Sequence, residues 1–258
     1  MAEVLMKAGA FVAVIIMGNL LRRAGFFKEE DFYVLSKIVL KITLPAAIIS
    51  NFSGIDLKPS MLVMTLLGFG GGILYITMAF FMSIGKEREE RAFNVLNLPG
   101  YNIGNFTMPF AQSFLGPVGV VATSLFDTGN AFICLGGAYS AAVATKEKNA
   151  RFSLLPVVKT LLKSLPFDAY LIMTVLSFLH VALPAPITSF TGVIGNANAF
   201  MAMLMIGVGF KLNGDSSQPG KIVRILAARY SLAIILALVF YFLLPFGIEY
   251  RQALTILA

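Results

Sequence analysis

NVLNLPGYNIGNFTMP, residues 94–109, is the stretch that decides how this chain folds. Four asparagines, two prolines, two glycines and a threonine fall within these sixteen positions. Proline removes a backbone donor and drives its ring into the carbonyl four residues back, while glycine lets the backbone leave helical angles. In lipid, each freed amide or carbonyl has to find another partner. Such backbone therefore persists at membrane depth only where it is buried in protein or lines a wet cavity. The segment predicts a helix broken across residues 98–110 and sheltered from acyl chains.

The surrounding sequence puts that helix in a membrane. Of 258 residues 58% are apolar and 13% charged, with a mean hydropathy of +0.84. This exceeds what a single soluble core absorbs, and the excess has to face lipid. A span takes about 20 apolar residues at about 1.5 Å of rise each. Eight such stretches are predicted: 4–21, 32–53, 60–84, 92–115, 118–144, 165–183, 187–210 and 230–248. The fold class is an all-α integral membrane protein. The first apolar run carries Lys7, lacks a cleavage-site pattern before Arg22 and Arg23, and reads as the first span and not as a removable leader.

Charge supports the count. With the first joint cytoplasmic, 17 of the 20 basic residues fall in or beside cytoplasmic joints, including Lys148, Arg151, Lys211, Lys221, Arg224 and Arg229. Only Lys7, Lys58 and Arg251 fall opposite, which predicts an N-terminus outside a cell membrane. The net charge of +7 is dispersed in these joints, with no basic stripe or aromatic platform, so no nucleic-acid partner is expected. The segment 152–164 is apolar at helical spacing with Lys159 and Lys163 on another face. It reads either as an amphipathic helix on the cytoplasmic surface or as an extension of the sixth span. The joint from Asn213 to Gly220 is a turn-rich loop. Residues 1–144 form a first five-span repeat, 145–164 a joint, and 165–258 an incomplete second repeat of three spans and the start of a ninth.

Chemistry is expected at the broken span. Free N–H groups at a half-helix start favour an anion, and carbonyls at the opposite end favour a cation. Asn102, Gly104, Asn105, Thr107 and Pro109 are the candidate substrate-binding residues there, the alternative being a kinked helix packed through small residues. Asp127, the carboxylate placed well inside a span, and Asn130 join them. A buried carboxylate costs about 2.5–3.5 kcal/mol on insertion scales and needs a partner. Asp127 reads as a proton or cation coupling site, as the group that orients a binding amide, or as a packing carboxylate. Asn19, Asn196 and Asn198 read as interhelical hydrogen-bond partners, and His180 as an interfacial residue. The run Gly68 to Gly72 lacks the Lys-Ser or Lys-Thr of a phosphate loop and reads as a close-packing face. One histidine and one cysteine, Cys134, offer no polyhistidine or multi-cysteine metal centre. No cofactor and no enzymatic activity are expected.

Several of these residues carry a family pattern: Gly18 through Arg22 and Arg23 to Phe27, Leu35-Ser36-Lys37, Leu44-Pro45-Ala46, and above all Asn102-x-Gly104-x-x-x-x-Pro109. In order along essentially the whole chain, they resemble the auxin efflux carrier family, whose bacterial members are permeases for malate, malonate and similar organic anions. The resemblance implies ten spans in two inverted five-span repeats, with spans four and nine broken at prolines. Spans one, two, six and seven would form a scaffold, which also allows a homodimer, and the others a mobile transport domain. Asn102 and Pro109 would mark the first crossover, with Asp127 and Asn130 beside it. Spans nine and ten have no counterpart up to Ala258, so the expectation is a truncated relative. The implied function is secondary transport of a small organic anion by alternating access, with coupling to a proton or to sodium. Two other readings stay open: a sodium-coupled symporter of bile-acid type, and a non-transporting membrane sensor or assembly subunit.

Overall fold

A computed structural model describes residues 2–53, 55, 57–147, 153–210 and 219–258. Lys148, Arg151, Phe152, Lys211 and the part of the predicted loop from Asn213 to Gln218 lie outside the described residues. The regular structure of the described residues is helical throughout. In chain order the helices are α1 (Ala2–Arg23), α2 (Asp31–Phe52), α3 (Pro59–Met82), α4 (Arg88–Asn97), α5 (103–115), α6 (117–146), α7 (Leu154–Leu161), α8 (Leu165–Phe178), α9 (Ala185–Gly209), α10 (Pro219–Leu243) and α11 (Ile248–Leu257).

Among the described residues, six stretches are long and apolar enough to cross a membrane: Leu5–Arg23 of α1, then α2, α3, Ile103–Lys146, α9 and α10. A seventh forms if α7 and α8, bent by 78° at their junction, are taken as one span. Large apolar side chains such as Val223, Ile234, Leu238 and Phe242 of α10 are exposed, as expected of surface that faces lipid. The count differs from the eight expected for the first two of three local differences. Ile103–Lys146 is one 44-residue stretch, divided at Gly116, whose φ of 58° and ψ of −145° precede Pro117. α8 has only 14 residues and stops at Phe178. α10 begins at Pro219, well before residue 230, because proline suits a first helical position where its missing N–H has no helical partner in any case. The bend before α8 separates Leu154–Leu161 as a helix of its own. Val157 and Leu161 of α7 are buried against Ala131 and Phe167, while Leu154, Leu155 and Leu162 are exposed.

By its internal contacts the chain divides into two compact units, each assembled from three stretches. The first comprises Met1–Leu57, Asn102–Ser124 and Ala169–Gly214. Here α1 lies so close to α9 that a Cβ on Gly18 would come within 2.7 Å of the Leu204 carbonyl oxygen and one on Gly207 within 2.2 Å of the Ile15 oxygen. Arg22 donates to the carbonyls of Val208 at 3.0 Å and Phe210 at 2.7 Å, and Asn19 donates to Phe210 at 3.0 Å. These side chains satisfy the last carbonyls of α9, where the helix dipole favours a cation. Asn19 is thus an interhelical partner, as read from sequence. α2 contains a π-turn, Val39–Thr43, two residues before Pro45, and α5 opens on another, Ile103–Thr107, two residues before Pro109. A wider turn moves the carbonyl four residues back away from the proline ring. Thr43 donates to the side-chain oxygen of buried Asn198 at 3.0 Å, a second interhelical bond of the kind the sequence suggests.

The second unit comprises Lys58–Tyr101, Leu125–Asp168 and Asp215–Ala258. α3 and α6 pack backbone to backbone: a Cβ on Gly68 would stand 2.0 Å from the Phe126 oxygen, and one on Gly129 1.9 Å from the Thr65 oxygen. Thr65 Oγ1 donates to the Leu125 carbonyl at 2.9 Å across the same contact. The glycine run of α3 is a helix-packing face, because only residues without a Cβ allow this approach.

Candidate functional site

α4 ends at Asn97, and no helix resumes until Ile103. Leu98 still bonds back to the Asn94 carbonyl at 2.9 Å, but Pro99 has no N–H to continue the ladder. Gly100 then takes a φ of +106°, a region open to glycine and costly to other residues. Asn102, at φ −88° and ψ 65°, ends the break, and its carbonyl accepts the N–H groups of Phe106 and Thr107 that start α5. The rupture expected from 94–109 is therefore present, confined to 98–102.

Side chains of the second unit meet the carbonyls this break releases. The Arg229 guanidinium donates to the Gly100 oxygen. Asn130 Nδ2 donates to Asp127 Oδ1 at 2.8 Å and makes a longer contact of 3.5 Å to the Tyr101 oxygen. Cys134 Sγ lies 3.2 Å from Asn130 Oδ1 and 3.5 Å from the Tyr101 oxygen. Tyr75 donates its hydroxyl to the Arg229 carbonyl at 3.2 Å and meets the Tyr101 ring edge-on at 5.5 Å. The Tyr101 ring continues onto Phe126 at 5.7 Å. One guanidinium, one carboxylate and one amide thus converge on a non-helical backbone walled by aromatic rings. Such a group of charged and amide side chains within spans is costly in lipid and is the ordinary mark of a functional site.

The sequence-chosen residues divide between the units. Asp127 and Asn130 are brought together in the second, where the Asn130 amide donates to the Asp127 carboxylate. Asn102, Gly104, Asn105, Thr107 and Pro109 belong to the first. There Asn102 is exposed, Pro109 is buried behind its π-turn, and Gly104 leaves a Cβ only 3.0 Å from Leu44. Asn105 Oδ1 is buried without a hydrogen-bond partner, and so is Gln112 Oε1, whose amide nitrogen donates to Gly195 at 3.3 Å. The N–H groups of residues 103–105 open α5 with no carbonyl a turn earlier to receive them.

Set against protein-family models, curated proteins and solved structures, the chain matches none of them.

Its own geometry adds residues that sequence reasoning missed. An eighth span that begins at residue 230 leaves Arg229 in the joint before it. The helix start at Pro219 places it eleventh in α10. The signal was in reach: Pro219-Gly220 followed by a run whose only charges are Lys221, Arg224 and Arg229 is a helix start. Tyr75 and Tyr101 left no such trace, since buried aromatics are ordinary in any apolar helix. His180 stands at the end of α8 with a φ of 53°, an uncommon angle outside glycine. It borders a cavity of about 220 Å³ with Ser53, Ser177 and Met173 in the first unit.

Proposed function

We propose that this chain is a secondary transporter of a small organic anion, working by alternating access in the manner of the auxin efflux carriers it resembles. One observation carries the reading: a helix break at 98–102, just ahead of the apolar stretch Ile103–Lys146, with an arginine from within α10 bound to the Gly100 carbonyl. A carboxylate is a stronger acceptor for a guanidinium than an amide carbonyl, and it binds both nitrogens in a planar fork. An arriving anion therefore competes with that carbonyl for Arg229. Asn130, held by Asp127, supplies an oriented amide. The inverted repeat, the ten-span plan and an N-terminus outside the cell membrane belong to the same proposal.

The test is uptake of labelled malate or malonate into proteoliposomes containing the purified chain, with and without a sodium or proton gradient. Arg229→Gln and Asn102→Ala should each reduce uptake by about tenfold or more, equivalent to ~1.4 kcal/mol or more of lost stabilisation. Arg229→Lys, which keeps the charge and loses the fork, should fall between. A folded wild-type chain that neither takes up nor binds any small carboxylate removes the carrier reading. Normal uptake by Arg229→Gln removes the arginine from the site.

A further inference from the structure

The second unit holds a groove of about 380 Å³ between α4 and the end of α6, separate from the broken segment and the side chains that bind it. Its polarity is graded. At one end Glu89, in the first turn of α4, faces Lys146 and Glu147 at the end of α6, all three exposed. The floor is buried Ala92 and Ala142, whose small side chains leave the channel open. Towards the other end Leu96 and Tyr139 stand as exposed apolar walls. From residue 89 to residue 96 the groove runs about 10 Å along the helix. An apolar channel with charges at one mouth has the shape of a site for an amphiphile. The mouth lies at the joint that the distribution of basic residues assigns to the membrane surface.

The charges choose among amphiphiles. We propose that this groove binds one phosphatidylethanolamine molecule, its phosphate on Lys146, its primary ammonium on Glu89 and Glu147, and the upper part of one acyl chain along Ala92 and Ala142. One ammonium and two carboxylates complement a headgroup that carries both an anion and a hydrogen-bonding cation. Phosphatidylglycerol brings a negative charge to a mouth with two carboxylates and has no cation for them. Phosphatidylcholine has a quaternary ammonium that donates no hydrogen bond. Because α4 is the arm that leads into the break, a lipid wedged against it holds that arm to α6. This assignment stands apart from the identity of any transported anion.

Native mass spectrometry of the purified chain in detergent, titrated separately with the three lipids at matched acyl composition, tests it. One phosphatidylethanolamine should bind at least tenfold more tightly than either competitor, ~1.4 kcal/mol. The exposed double variant Glu89→Gln with Glu147→Gln should lose that preference and gain phosphatidylglycerol. Ala142→Phe should abolish the bound lipid by filling the floor. If Ala142→Phe unfolds, as its circular dichroism would show, the surface double variant carries the test alone. Equal binding of all three lipids by the wild type, or an unchanged preference in the double variant, overturns the proposal.

Discussion

Asp127 shows what a single residue contributes here. Its Oδ1 accepts the Asn130 amide at 2.8 Å, three positions along α6, so the pair is fixed by one helical turn. An asparagine at 127 retains a side-chain oxygen in nearly the same place. Asp127→Asn should therefore keep folding and leave anion affinity within about threefold, under ~0.7 kcal/mol, whereas Asp127→Ala releases the amide and should cost about tenfold. A tenfold loss in Asp127→Asn would instead assign the carboxylate charge itself to the mechanism. Glu90 gives a second residue-scale prediction, outside the spans. Partial desolvation pushes its carboxyl up, but the Arg224 hydrogen bond and the charges of Lys86, Lys221 and Arg224 outweigh it and hold the carboxyl below its ordinary value. Arg224 lies 2.9 Å from the carboxylate and Lys86 3.7 Å. A carboxyl depressed in the folded state contributes stability that is present above its unfolded value and is lost as pH falls through the folded one. Melting curves of wild type and Glu90→Gln should thus differ by a constant amount above about pH 5 and converge only below about pH 4. A gap that closes between pH 6 and 8 would contradict the assignment.

At the scale of the element, glycine and proline place the helices, and they do so with different legibility. Pro45 and Pro109 each follow a π-turn by two residues, a local effect of a ring on a carbonyl that sequence announces. The rupture before α5 was legible for the same reason: proline, glycine and repeated amides act within a few residues of themselves. The Gly68 face was legible in kind, since a glycine run within a span leaves helix packing as its use. What it meets was not, because Phe126 and Gly129 of α6 are brought there by tertiary packing. Arg229 was missed for a different reason. Apolar stretches blur at their ends when arginine and lysine stems lie along them, so a helix that begins with basic residues is read as starting late. The cluster of Tyr75, Tyr101, Asn130 and Arg229 joins three separate helices and the broken loop, and no periodicity in one helix encodes it. The α3–α6 contact yields a direct test. With the Thr65 oxygen only 1.9 Å from where a Cβ would sit, Gly129→Ala has to push backbone from backbone. It should destabilise the protein by about 1–3 kcal/mol. Gly70→Ala, at a glycine with open space beside it, should be neutral or slightly stabilising. Thermal unfolding in detergent separates the two, and an equal effect of both would remove the close approach as the cause.

For the molecule as a whole, the prediction concerns how many times 88–146 crosses the bilayer. The 44 residues from Ile103 to Lys146 amount to about 66 Å of helix, roughly twice the hydrocarbon thickness, so they exceed one crossing. Gly116, with its non-helical φ and ψ ahead of Pro117, is the position at which they turn. On the proposed topology α4 and α5, broken at 98–102, would make one crossing and α6 the next, which would return the chain to the side from which α4 sets out. The charges agree, since Lys86, Arg88 and Arg91 precede α4 and Lys146 closes α6. Single cysteines settle this in a Cys134→Ala background, which has no other thiol. Cysteines at Lys86 and Glu147 should react with a membrane-impermeant maleimide from one side of sealed vesicles, and a cysteine at Gly116 only from the other. The same reagent at Leu183, in the non-helical stretch between α8 and α9, should side with Gly116 if α8 crosses, and with Lys86 if it does not. Labelling of Gly116 from the same side as Lys86 would make α5 and α6 a re-entrant hairpin. The break at 98–102 would then sit at an interface, where water satisfies its carbonyls, and Arg229 would have no reason to hold one.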